Sequence, residues 1–285
     1  MSITSSAVIV EMNISVWTAN KLDRAATDTI TDGAGAVHNA AQVRKNLMAG
    51  TAARKNIADY AAGCRLWHNK HTLPWADKGA RLLPTSLFME YKSEANMRRS
   101  TFNGMVEDFI TNYPALQKTA HNYLGTLFNA EDYPTAGEIT DKFGFRLVFS
   151  PVPDAGDFRL DVPAKELEEV KSEYEDSFKD RLADAMREPW DRLHKVLTSI
   201  SEKLTEPEGE TEVKKRYHDT LITNAQTLCE MLTHLNVTKD PELEKARRQL
   251  EITMTGADIE TLKENPGSRE TMKRNVDAIL KQFDW

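Results

Sequence analysis

The chain has 285 residues, a net charge of −7, 40% apolar residues and 28% charged ones. That length can bury a substantial core in one large or two ordinary domains, and the apolar content is too high for a disordered chain. Mean hydropathy is −0.54; no run approaches the about eighteen apolar residues of a membrane span, and Met1–Trp17 places Glu11 but no basic residue before or within its apolar stretch, so neither a span nor a signal peptide is expected and the protein reads as cytoplasmic.

In chain order, Val10, Met12, Ile14 and Val16 alternate, which predicts a strand over Ala7–Trp17 with one wet face. A glycine-containing loop follows at Asp32–Ala36. Ala36–Cys64 is rich in Ala, Asn, Lys and Arg and predicts two helices broken at Gly50-Thr51. Trp67–Pro84 holds two prolines and a glycine, which predicts an ordered loop pinned by Trp67, Trp75 and Leu82.

From Thr85 the apolar residues Phe88, Tyr91, Ala95, Phe102, Met105, Phe109, Tyr113, Leu116 and Ala120 recur at helical spacing. A long helix over Leu87–Leu124 is predicted, capped by Thr85 or Ser86 and kinked or restarted at Tyr113-Pro114. A short helix, Thr135–Lys142, leads to Phe143–Phe149, turn residues at Pro153–Asp157, and Phe158–Val162. Strand, turn and strand predict a β-hairpin, with the N-terminal strand as its third member.

Pro163 and Glu166 open a second long helix in the favoured way, proline near the start and a carboxylate in the first turn. Its seam is Leu167, Val170, Tyr174, Phe178, Leu182, Ala185, Trp190, Leu193, Leu197, Ile200 and Leu204, with a bend expected at Pro189. Two stripes of similar length that cannot stay in water predict coiled-coil-like antiparallel pairing. After a polar loop, Glu206–Glu210, amphipathic helices are predicted over Val213–Leu235 and Pro241–Thr253, a turn-rich stretch over Gly256–Pro266 and a charged helix over Ser268–Phe283. The expected class is therefore α+β, predominantly helical: a long antiparallel helical hairpin, a small antiparallel sheet made of the N-terminal strand plus one β-hairpin, and C-terminal helices. The expected division is residues 1–205 and 206–285.

No catalytic or cofactor signature stands out, and no cofactor or metal is expected. Cys64 and Cys229 are distant in sequence and have no companion at ligand spacing, so both read as buried thiols. His68 and His71 could share a helix face as two metal ligands, but Lys70 between them opposes a cation and packing is the expected role. His194, His218 and His234 lack a paired nucleophile. Asp132, Asp141, Asp154, Asp157 and Asp161 could do acid-base chemistry or hold magnesium only in a closed pocket, and read as turn formers. Gly33 and Gly35 lack the lysine and third glycine of phosphate-binding loops. The sequons at Asn13 and Asn236 have no consequence without secretion.

Charge is unevenly distributed. His38–Ser100 holds eleven basic and four acidic residues within a chain of net −7. Arg44, Lys45, Arg54, Lys55, Lys70, Lys78 and Arg81, interleaved with Trp67 and Trp75, could supply phosphate contacts and stacking faces for single-stranded or duplex nucleic acid. A basic helical surface docking the acidic remainder of the chain or of a neighbour is favoured over that reading, because few aromatics accompany the charges.

Five stretches carry a resemblance: Ala7–Trp17; Trp67-His68 through Leu73-Pro74-Trp75 to Gly79–Pro84; Val152–Arg159; Trp190–His194; and Leu232–Asn236. Through them the chain resembles, over nearly its whole length, a family of phage-encoded proteins of unknown function that look like genomic companions of MoxR-type AAA+ ATPases and von Willebrand A-domain proteins. The resemblance implies an adaptor or substrate-recognition role beside a ring ATPase in the bacterial host cytoplasm, and carries over no catalytic residue. The expected function is a non-enzymatic assembly or adaptor protein that self-associates and has an AAA+ ATPase or von Willebrand A-domain protein as partner. Nucleic-acid binding through residues 38–100 is the alternative, and an unrecognised enzyme the third reading.

Overall fold

A computed structural model describes residues 3–76, 79–153, 164–205, 219–283 and 285. Its elements are α1 (Ile3–Ser6), β1 (Ala7–Ser15), β2 (Asn20–Leu22), α2 (Arg24–Gly33), β3 (Arg44–Asn46), α3 (Ala53–His71), β4 (Leu73–Pro74), β5 (Ala80–Pro84), α4 (Phe88–Leu124), α5 (Ala136–Thr140), β6 (Gly144–Pro151), α6 (Ala164–Leu204), α7 (Thr220–Leu235), α8 (Pro241–Met254), α9 (Ile259–Glu264) and α10 (Pro266–Gln282). The protein is α+β and predominantly helical. Its longest helices, α4 with 37 residues and α6 with 41, extend about 55 and about 60 Å at the usual rise per residue.

Strands order β4-β5-β1-β6 in one sheet and β2-β3 in another. β1 is antiparallel to β5, with Ala7 opposite Pro84 and Ile9 opposite Leu82, and β4 adds to β5 with Leu73 opposite Leu82. The stretch expected as a loop, Trp67–Pro84, thus contains the end of α3 and two strands. Ala80–Pro84 shows no alternation; it is a strand because the backbone donors and acceptors of β1 need partners. The expected strand Phe143–Phe149 is present as β6. Its expected hairpin partner Phe158–Val162 lies outside the described residues, as do Asp154, Asp157, Asp161, the loop Glu206–Glu210 and the start of the helix expected from Val213.

Of the two helices expected over Ala36–Cys64, only the second forms, and it runs on to His71. Arg44–Asn46 instead pairs with Asn20–Leu22. The unexpected α2 is held at its start by Asp23, whose carboxylate accepts the Ala26 N–H at 3.0 Å. The Thr27 hydroxyl then donates to the Asp23 carbonyl at 2.7 Å and accepts the Val43 N–H at 3.0 Å. The turn-rich stretch after Gly256 likewise contains a helix, α9, capped by Asp258.

Neither proline ends its helix: α4 continues through Pro114 and α6 through Pro189. An internal proline costs about 3 kcal/mol. Burial of Phe109, Tyr113 and Ala120 around the first, and of Ala185 and Leu193 around the second, offsets that cost.

The chain forms two compact units, one of residues 1–11, 69–89 and 149–285, the other of residues 12–68 and 90–148. This division differs from a cut after residue 205, because the C-terminal helices find the partner for their apolar faces in α6. In the first unit, Leu193, Leu197, Ile200 and Leu204 of α6 are buried with Leu221, Ala225, Cys229 and Leu232 of α7, Leu243, Ala246 and Leu250 of α8, and Met272, Val276 and Ile279 of α10. A second cluster joins Ala7, Leu73, Trp75 and Leu82 of the strand region to Ala185 and Phe178 of α6. Trp75 meets Phe178 edge-on at 5.2 Å between ring centroids.

In the other unit, Phe102, Val106, Phe109 and Tyr113 of α4 pack with Ile57 and Ala61 of α3, Leu47, Met48 and Ile139. Trp17 stands edge-on to Phe109 and Tyr113 at 6.3 and 6.2 Å. The α4 stripe from Phe102 to Tyr113 and the α6 stripe from Ala185 to Leu204 are thus buried by neighbours within their own units, while Leu167, Val170, Tyr174, Phe178 and Leu182 of α6 are only half-buried. Each unit also holds one cysteine: Cys64 and Cys229 are both free and buried, and burial pushes the Cys229 thiol up to about 11.

Two measurements test this packing. Gly50 has a φ of +75°, and a Cβ there would overlap the Tyr123 ring. Gly50→Ala is expected to lower stability in urea unfolding by about 1–3 kcal/mol, and adding Tyr123→Ala should recover only the overlap part. On α8, the buried Arg247 forks onto Glu244 at 2.8 and 2.9 Å and reaches Glu251 at 2.9 Å. Arg247 holds the Glu244 carboxyl down at about 2, below its usual 4.5. A carboxyl that titrates lower folded than unfolded stabilises fully above the unfolded value and loses this as pH falls to the folded one. Glu244→Gln should therefore cost about 1–2 kcal/mol near neutral pH, a difference that shrinks below pH 4.5 and vanishes near pH 2.

Candidate functional site

The sequence-predicted basic residues divide between the two units, and many are held internally. In the unit of residues 12–68 and 90–148, Arg44 is exposed on β3. The Lys45 ammonium lies 2.5 Å from Asp132 and 3.3 Å from Asp23, with 8% of its side chain exposed, and donates to the Leu127 carbonyl at 3.1 Å. Asp132, then Asp23, raises the Lys45 pKa, while the Ala26 N–H and Lys45 lower that of Asp23. Arg54 Nε donates to the Trp17 carbonyl at 2.8 Å, and Lys55 pairs with Asp59 on the exposed face of α3. Trp67 stacks on Tyr91 at 4.6 Å, with the Arg98 guanidinium 4.7 Å from its ring.

In the other unit, Trp75 is buried against Phe178, so its ring offers no platform for a base. Lys70 is exposed, Arg81 is partly buried, and Lys78 lies outside the described residues. The remaining candidates sit in packing roles. His68 is buried with its Nδ1 2.6 Å from the Tyr91 hydroxyl, and His71 ends α3. His234 bonds Ser86 at 3.0 Å, His194 lies against Trp285, and His218 is outside the described residues. Among the described residues no three His, Cys, Asp or Glu side chains are grouped to hold a metal ion.

The most constructed polar arrangement lies at the C-terminal end of α3, where backbone carbonyls have no helical partner. Arg192, one face of α6, donates from Nη1 to the Lys70 carbonyl at 2.8 Å and from Nη2 to the Asn69 and Thr72 carbonyls at 2.7 and 3.0 Å. Arg81 of β5 donates to the Thr72 hydroxyl at 2.7 Å and the Thr72 carbonyl at 3.0 Å. Glu188, one turn before Arg192 on α6, accepts from Arg192 Nε at 3.0 Å and lies 3.5 Å from Arg81. Two guanidiniums thus share one carboxylate and the negative end of a helix dipole, which accommodates the second positive charge.

Beside this cluster a groove of about 540 Å³ opens between the end of α3, α6 and α7. Val196, Leu228 and Met231 form its half-buried apolar strip. Exposed Lys70 and Lys195 border it on one side and exposed Asn224 and Thr227 on α7 line it as well. Among the described residues neither lysine ammonium has a carboxylate partner. The groove therefore offers apolar contact next to positive charge that has no ion pair among the described residues.

Sequence reasoning found Lys70 and Arg81 but missed Glu188, Arg192, Lys195, Leu228 and Met231. Glu188 and Arg192 are visible as a helical pair four residues apart, a spacing common on solvated surfaces. Leu228 and Met231 lie beside the core stripe of α7, so an unusually wide apolar face was the one available signal. Comparison with known protein families, curated proteins and solved structures finds no match. The fold and groove define a predominantly helical α+β protein with an apolar, basic-edged surface depression.

Arg192 is expected to anchor this end of α3. Arg192→Ala removes the α6 donor from the Lys70, Asn69 and Thr72 carbonyls, of which the last two keep Arg81 and the first is open to water, and should cost about 1–2 kcal/mol in urea unfolding. Arg192→Lys, which keeps the charge but loses the planar fork, should recover less than half of that.

Proposed function

We propose that this is a non-enzymatic assembly or adaptor protein that works by binding other proteins and by self-association. The single observation that carries the reading is the groove beside Arg192, an apolar strip of Val196, Leu228 and Met231 bordered by Lys70 and Lys195, which have no ion pair among the described residues. Its most ordered polar groups, Arg81, Arg192 and Glu188, are engaged with one another and with backbone carbonyls. Such groups position a surface; they do not present a nucleophile or base to a substrate.

The partner class comes from the sequence resemblance: a MoxR-type AAA+ ATPase or a von Willebrand A-domain protein, in a phage-infected bacterial cytoplasm. Among the described residues no helix is long and apolar enough to cross a membrane. Nucleic-acid binding has less support, since Trp75 is buried and Lys45, Arg54 and Arg81 are bonded within the fold.

Size-exclusion chromatography with light scattering, joined to affinity capture from infected cells, tests the proposal. The expected result is an oligomer that co-purifies an AAA+ ATPase or A-domain protein. A strict monomer that captures neither overturns it.

A further inference from the structure

Building on the adaptor reading, we infer that the groove beside Arg192 receives an acidic amphipathic segment of a partner protein, with an apolar side chain on Val196, Leu228 and Met231 and carboxylates reaching Lys70 and Lys195. Three properties of the site select this occupant. The apolar strip is half-buried already, so a leucine-sized side chain laid on it loses its own contact with water at little further cost to the protein. Lys70 and Lys195 come from different elements, the end of α3 and the C-terminal part of α6, yet border the same depression. Among the described residues neither ammonium is within ion-pair distance of a carboxylate, Asp191 one turn before Lys195 included, and the one carboxylate lining the groove, Glu188, is taken by Arg192 and Arg81.

The depression therefore carries a positive potential that a neutral or basic peptide leaves uncompensated and an acidic one satisfies. The hydrogen-bonding side chains of Asn224 and Thr227 on the α7 side can meet a peptide backbone. The cluster under the groove also keeps its shape: Arg192 is held by three carbonyls and a carboxylate and cannot swing out to meet a ligand without giving up all four. Recognition rests on the lysines and the apolar strip, and Arg192 acts as a positioning residue.

The test uses the full chain and fluorescein-labelled synthetic peptides, read by fluorescence anisotropy at low and moderate salt. The first peptide repeats Glu and Leu at helical spacing; in a second Gln replaces Glu, in a third Ser replaces Leu, and in a fourth Lys replaces Glu. The Glu/Leu peptide is expected to bind the wild-type protein at least roughly tenfold more tightly than the Gln/Leu or Glu/Ser versions, with affinity falling as salt rises. Lys70→Glu with Lys195→Glu should weaken it by roughly tenfold and create binding of the Lys/Leu peptide. Thr227→Trp, which adds bulk at an exposed groove position, should weaken both.

Unchanged circular dichroism and unfolding midpoints show that these exposed variants fold. Equal affinity of the double lysine variant for the Glu/Leu peptide overturns the inference, and so does equal binding of the Glu/Ser peptide. Displacement of the peptide by oligodeoxythymidine that itself depends on both lysines would assign the groove to nucleic acid instead. Loss of the oligomer in the double variant would assign it to a second copy of this chain. Failure of peptide binding in a protein that still oligomerises and captures its ATPase removes the groove's assignment alone and leaves the adaptor reading in place.

Discussion

One half of the molecule depends on a single apolar stripe. Leu193, Leu197, Ile200 and Leu204 recur at intervals of four, three and four along α6, and α7, α8 and α10 each bury their own stripes in the same cluster. Separate helices of such length are marginal in water, so these helices owe their persistence to one another. The arrangement fixes the faces of α6 and α7 that remain outside the core. Val196 and Leu228 fall at the edge of this buried cluster and Met231 at the edge of the neighbouring one, which is why an apolar groove is left there.

Those regions whose sequence pattern and tertiary demand agree were legible. The periodicity of α4 and α6 marked both helices to within a residue or so, and the expected start of α8 at Pro241 is where the helix begins, capped by Asp240. Regions in which a distant partner decides the conformation were not. Ala80–Pro84 has the composition of a loop and becomes a strand because β1 lies beside it. Arg24–Gly33 is rich in threonine, a modest helix former, and its helix rests on Asp23 and on hydroxyls that bond back to its own turns. Arg44–Asn46 sits in a stretch with helical composition, yet Lys45 is drawn between two carboxylates and its neighbours pair with Asn20–Leu22.

The same distinction governs the charges. Clustering along the sequence suggested a basic face, but side chains reach several residues away and choose partners by geometry. Lys45 serves two aspartates and a carbonyl, Arg54 a carbonyl, and Arg81 and Arg192 the end of α3. The charges beside the groove's apolar strip that have no ion pair among the described residues are a pair of lysines that lie far apart in the sequence. Arg192 meets the end of α3 across 122 residues of chain at Lys70, a separation that no local pattern encodes.

The placement of the two sulfhydryls has a consequence for how the protein can be observed. Cys64 and Cys229 are sealed in different compact units, and the thiolate that would react is suppressed further where burial raises its pKa. A thiol reagent in solution can capture either one only during a transient opening of the surrounding core. The rate of capture at each position is consequently a private clock for its own half of the molecule, and it runs on the natural side chains without any added label.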